Sequence, residues 1–171
     1  QDLAAVATQA VCLEADYYKG YFEWLKIEVR AQAWEAAQAL ADKIWACQET
    51  GWIGMNTDNF YYHVGLIAWQ GQNNLPKAAQ YMEEALEENA YFTDPLQALL
   101  KITVALKDYK AALRWHKMAL ELAPYDIFLL MELGKIAELA GEPDQARLYY
   151  RDVLAINSDY FPALDAMARL G

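Results

Sequence analysis

The sequence predicts an all-α fold of stacked helical hairpins, and three observations carry that reading. Residues of matching size recur at a spacing of 34: Ala78, Ala112 and Ala146 form one column, and Leu86, Leu120 and Leu154 another. Neighbouring columns keep the register, as in Met82/His116/Tyr150 and Ala85/Ala119/Val153. Such a period holds two short helices and their turns, which marks a chain that stacks one hairpin on the next. Helix punctuation falls between the columns, and the composition is that of a packed protein. Apolar residues make up 56% and Pro plus Gly only 13 of 171, which excludes a disordered or linker-rich chain.

Residues 1–56 read as a degenerate repeat with an extra helix. Leu3, Val6, Ala10 and Leu13 offer the stripe of an amino-terminal helix. Trp34, Ala37 and Ile44 match the second-helix columns of an early hairpin over 15–48. Its distance to Ala78 exceeds one period by seven residues, and the excess is placed in Gly51–Asn56, with Trp52 a lid on the hairpin. Residues 57–91 form the next repeat, with helices near Asp58–Gln70 and Leu75–Glu88. Its first helix is one residue out of register, an offset assigned to the loop Gly71-Gln72-Asn73-Asn74. In the repeat 92–125, Asp94-Pro95 and Asp108 open the two helices. In 126–159 the openings are Asp126 and Glu142-Pro143, and Gly141 suits the left-handed turn between them. Residues 160–171 supply one capping helix, so the whole chain reads as a single solenoid domain.

These columns resemble the tetratricopeptide repeat. The 126–158 stretch carries Leu130, Leu133-Gly134, Gly141, Ala146 and Tyr150 at its expected positions, and 59–90 supplies Tyr61, Val64-Gly65, Ala78, Met82 and Ala85. The 93–124 stretch departs from the pattern twice. Leu100 stands where the repeat has a small residue and His116 where it has an aromatic one, which suggests altered hairpin packing. The resemblance implies a right-handed α-α superhelix of about four hairpins plus a capping helix. It also implies a concave groove lined by first helices.

Carried over by register, the groove residues are Asn59, Tyr62, Leu66, Trp69, Gln97, Lys101, Phe128, Met131 and Lys135. The aromatics among them line an open groove or a core covered by the amino-terminal helix, and the residues alone leave both open. The family's clamp for a terminal carboxylate does not map, because His63, Ala98 and Glu132 stand in place of a basic set. An apolar peptide is the better ligand on energetic grounds. Ordering eight residues costs about 8–16 kcal/mol, and each buried aromatic anchor returns roughly 4–6 kcal/mol as an upper estimate.

The charge is lopsided. Residues 1–90 hold 5 basic and 13 acidic side chains (net −8), and residues 91–171 hold 9 and 11 (net −2). An acidic field repels nucleic acid and anionic membranes and suits an apolar or basic protein segment. Glu83-Glu84 and Glu87-Glu88 form an acidic ridge, read as a solvated face or as a dock for a basic partner. No apolar run reaches membrane-spanning length, which favours a soluble, cytoplasmic protein. The start at Gln1 is also compatible with export after removal of a signal.

Cys12 and Cys47 lie 35 apart, and packed-helix spacing predicts two free, buried thiols. His63 and His116 lack metal-ligand spacing, with His116 read as a core histidine, and phosphate loops and nucleophile elbows are missing. The expectation is therefore a non-enzymatic scaffold or adaptor without cofactor or metal. The alternative is a structural subunit that docks or self-associates through its terminal helices.

Overall fold

The computed structural model describes residues 17–47 and 56–171, and the described residues are helical with no strand. In chain order the helices are α1 (Tyr17–Arg30), α2 (Trp34–Trp45), α3 (Thr57–Leu66), α4 (Leu75–Glu88), α5 (Thr93–Ala105), α6 (Tyr109–Leu122), α7 (Ile127–Leu139), α8 (Pro143–Ile156) and α9 (Phe161–Leu170). A π turn, Ile67–Gly71, extends α3. The chain divides into two compact units, one ending at Pro95 and the other starting at Leu96. The expected amino-terminal helix, with Cys12 in its repeat, and Trp52 lie outside the described residues.

Local chemistry explains the helix starts. Asp108 accepts a hydrogen bond from the Ala111 amide at 3.0 Å, and Asp126 accepts from Phe128 and Leu129 at 2.8 and 3.2 Å. Asn74 does the same for Lys77 at 3.2 Å, just ahead of Pro76. Each cap satisfies amides that the first helical turn leaves without partners.

The ends of the first helices repeat where the sequence does not. Gln32, Asn73, Lys107 and Gly141 all sit in the left-handed region, with φ of 57°, 50°, 58° and 78°. Asn73, Lys107 and Gly141 are one period apart, and Gln32 precedes Asn73 by one period plus seven. At Lys107 the turn closes with Lys107 N–H to Val104 O and Asp108 N–H to Thr103 O, both 3.0 Å. Gly141 and Gln32 make the same paired bonds, the motif that ties off a helix with one left-handed residue. Only one of the four positions is glycine, so the other three accept a conformation that a Cβ disfavours.

The π turn corrects the assignment of the one-residue offset. Gln72 N–H reaches back to Ile67 O at 3.0 Å, spanning five residues rather than four. The extra residue is therefore absorbed inside the helix, ahead of the loop that was expected to hold it. Gly71, at the end of this turn, lies against Trp34, where an added Cβ would come within 2.8 Å of the indole Cγ.

Each unit has its own core. Phe22, Leu25, Leu40, Ile44, Phe60 and Ile67 are buried in the first, with the Trp45 and Phe60 rings 4.9 Å apart. Leu130, Leu133, Tyr149, Tyr150 and Val153 are buried in the second, together with Ala163 and Ala166 of α9. Small residues set the hairpin spacing. A Cβ on Gly65 would meet Met82 Cε at 2.8 Å, and one on Gly134 would overlap the Tyr150 ring. Tyr150 is fully buried and its hydroxyl donates to Glu138. Burial first, and then this bond, raise its pKa.

Cys47 is disulfide-bonded, which overturns the expectation of free thiols. The spacing argument assumed residues in the middle of packed helices. Cys47 instead follows the end of α2, where the chain is no longer held at the distance of helix axes.

Candidate functional site

Each unit contains a cavity lined by first-helix positions. In the second unit, Gln97, Lys101 and Val104 lie on one face of α5, and Glu132, Lys135, Ile136 and Leu139 on one face of α7. Leu100 and His116 complete a groove of about 510 Å³. Its lining is mainly apolar, through Leu100, Val104, Ile136 and Leu139. Lys101 and Lys135, one period apart, supply its positive charge. His116 is buried at the base, with Nδ1 2.8 Å from Ala112 O and Nε2 3.3 Å from Glu132 Oε2. Both ring nitrogens thus face acceptors.

The departures at Leu100 and His116 are the signal that the sequence held for this groove. In the 57–91 and 126–159 repeats a glycine closes directly onto a Met or Tyr side chain. Here a half-buried leucine and a smaller ring, turned toward Glu132, occupy those positions and form part of the groove wall. Ile136 carried no distinguishing mark in the sequence, and Glu132 was marked only as a residue that breaks the family's carboxylate clamp.

The first unit places Lys26, Val29 and Arg30 of α1 opposite Asn59, Tyr62, His63 and Leu66 of α3, with Gln70, Phe92 and Asp94 also lining the cavity. Its volume is about 530 Å³ and its lining is markedly more polar. Tyr62 packs edge-on against Phe92, 5.2 Å between ring centres, and burial, then Asp94, raise the pKa of its hydroxyl. His63 Nδ1 lies 2.8 Å from Asn59 O, so the neutral ring donates there and leaves Nε2 as an acceptor. Burial is the main cause that lowers the His63 pKa, and Lys26 and Arg30 add to it. The Asn59 Oδ1 atom is buried and has no hydrogen-bond partner among the described residues.

The expected groove residues therefore fall into distinct groups. Asn59, Tyr62 and Leu66 line the first cavity, and Gln97, Lys101 and Lys135 line the second. Trp69 lines neither, whereas Gln70, which the same register also places in the groove, lines the first cavity. The π turn inserts one residue, and each residue rotates a helix by about 100°, which carries Trp69 away from the cavity. Phe128 is 68% exposed, one turn before Glu132 on the same face of α7, and outlies the groove. Met131 is 5% exposed and belongs to the core, which removes it from the groove. Its unbranched thioether packs among buried apolar residues rather than facing solvent.

A stack of antiparallel helical hairpins closed by small residues, with cavities on the first-helix side, defines a helical-repeat protein. Its fold is that of the tetratricopeptide-repeat proteins. Among solved structures it is similar to YrrB, described as "a TPR protein with an unusual peptide-binding site", at TM-score 0.66 and 17% identity over 91% of this chain and 77% of that one. It is similar to MamA from Desulfovibrio magneticus RS-1, at 0.64 and 15% over 90% and 82%. A third likeness is to MamA of MSR-1, at 0.63 and 13% over 91% and 85%. No family model and no curated protein matches the sequence. Among the described residues no helix is long and apolar enough to cross a membrane.

Proposed function

We propose that the chain is a non-enzymatic scaffold that holds a peptide or helix of a partner protein, and that the second-unit groove is its principal binding site. One observation carries this reading: four apolar side chains line a cavity of about 510 Å³ that also presents Lys101 and Lys135. An apolar lining binds a side-chain anchor, and the two ammonium groups favour carboxylates beside it. The partner favoured by this lining is an apolar segment bearing Asp or Glu, within the apolar-or-basic class expected from the sequence only in its apolar part. The likeness to YrrB, described as having a peptide-binding site, supports the same class of ligand. The first cavity, with two cations, one carboxylate and several amides, is read as a second, more polar contact for the same chain.

Selection from a displayed peptide library tests the proposal. The wild type is expected to enrich apolar peptides carrying Asp or Glu. Lys101→Glu with Lys135→Glu is expected to enrich apolar peptides carrying Lys or Arg. Enrichment of the same peptides by both proteins would place the binding site elsewhere.

A further inference from the structure

His116 and Glu132 meet in the lining of the second-unit groove, and their contact calls for one more proton than a neutral ring holds. The His116 ring is buried, with Nδ1 2.8 Å from Ala112 O and Nε2 3.3 Å from Glu132 Oε2. A neutral imidazole carries one N–H, so it donates to one of these oxygens and turns a lone pair toward the other. Only the imidazolium donates to both. The two acceptors differ in their freedom to yield. Ala112 O is fixed in the backbone of α6, whereas the Glu132 side chain is 56% exposed. A neutral ring therefore keeps its proton on Nδ1 and gives up Glu132.

The freed carboxylate has another partner within reach. Lys135 follows Glu132 by three residues on α7, a spacing at which opposite charges pair on a helix surface. Lys101 of α5 lines the same cavity, and with His116 these are its charged and titratable side chains. When the ring is neutral, the groove presents two ammonium groups and a carboxylate that competes for them. When the ring is charged, Glu132 is held against it and both ammonium groups are left to a ligand.

We propose that the groove binds its ligand with uptake of a proton at His116, so that affinity for an apolar segment bearing Asp or Glu rises as the pH falls. The inference rests on the peptide-groove reading and adds the regulation of that site. A ligand carboxylate at Lys101 and Lys135 displaces Glu132 toward the ring and brings further negative charge near it, and both effects favour the imidazolium. By reciprocity, a ligand that promotes protonation is bound more tightly by the protonated protein. Histidine changes charge between about pH 8 and 5, while Asp and Glu stay ionised down to about pH 4.5. The gain therefore appears before the ligand loses its own charge. His116 acts on the ligand through Glu132, which makes it a positioning residue.

Titration calorimetry tests it with two synthetic peptides, acetyl-Leu-Glu-Trp-Leu-Glu-Leu-Leu-amide and its counterpart with Gln in place of both Glu. The wild type is expected to bind the Glu peptide about five- to tenfold more tightly at about pH 5.5 than at about pH 7.5. At about pH 6.5 the binding enthalpy is expected to vary with the ionisation heat of the buffer in the sense of proton uptake. The Gln peptide should show neither effect. His116→Gln is expected to lose both, and His63→Gln, at the chain's other histidine, to retain both. Glu132→Gln places an amide that donates to the neutral ring and leaves Lys135 unpaired. This exposed variant is expected to bind the Glu peptide at the higher pH as tightly as the wild type does at the lower one. That gain is a result a merely structural histidine would not give, and it serves if His116→Gln fails to fold. Wild-type binding that ignores pH, coupling that persists in folded His116→Gln, or no gain in Glu132→Gln would each overturn the proposal. Absence of binding at either pH, or binding unchanged by Lys101→Glu with Lys135→Glu, would overturn the groove reading itself and this inference with it.

Discussion

The two cavities occupy matching positions in their repeats but present different chemistry. The ninth position of the first helix is Leu66 in the first unit and Lys101 and Lys135 in the second. The first cavity gathers its cations, Lys26 and Arg30, from α1 and sets them among amides, a half-buried histidine and Asp94. The second holds its lysines in a mainly apolar lining. A shared backbone register fixes where side chains can meet. What they then recognise depends on residues that do not repeat and, in the first unit, on one inserted residue.

The largest effects are expected where helices touch through glycine. Gly134→Ala in the second unit forces a Cβ into the rigid Tyr150 ring and is expected to cost about 2–3 kcal/mol. Gly71→Ala in the first presses on Trp34 at the end of a π turn and is expected to cost about 1–2 kcal/mol. Urea unfolding measures both, and equal costs would remove the distinction between a ring locked in the core and an indole at the start of a helix.

A smaller effect sharpens the comparison of helix ends. Lys107→Gly relieves a left-handed non-glycine residue and is expected to stabilise the protein by about 0.5–1 kcal/mol, while Gly141→Ala is expected to cost about 1 kcal/mol. Thermal midpoints moving in opposite directions would confirm that one turn serves both repeats. A destabilised Lys107→Gly would show that the lysine side chain contributes more than its backbone costs.

The smallest is a pH dependence confined to the first unit. The His63 pKa is lowered from 6.5 in the folded state, so the unfolded chain takes up the proton first as the pH falls. Stability is therefore full above 6.5 and declines below it, until the pH passes the lower folded value. Hydrogen exchange at pH 7.5 and 5.5 is expected to show faster opening of α1 and α3 at the lower pH, with the change abolished in His63→Gln. An acid effect of equal size in α7 and α8 would show that another group is responsible.

The columns of alanine, leucine and glycine made the hairpins and their punctuation legible, because side-chain size at a helix contact is a local constraint with a fixed period. The same columns flagged Leu100 and His116 as departures, and both became groove wall. The π turn was not legible, since one residue inserted in a helix and one inserted in its loop shift the pattern alike. The left-handed turns at Gln32 and Lys107 were hidden for a related reason: their side chains announce no special backbone.

The sequence alone determined the helical class, the period and the positions at which side chains would gather, since each follows from spacing along the chain. Only the tertiary structure decided which of them share a cavity. It rotated Trp69 off the expected face, placed Met131 in the core, and divided the other lining residues between two cavities, one in each unit. The physical reason is that cavity membership depends on helix rotation and on packing against neighbours distant in sequence, neither of which a single helix encodes.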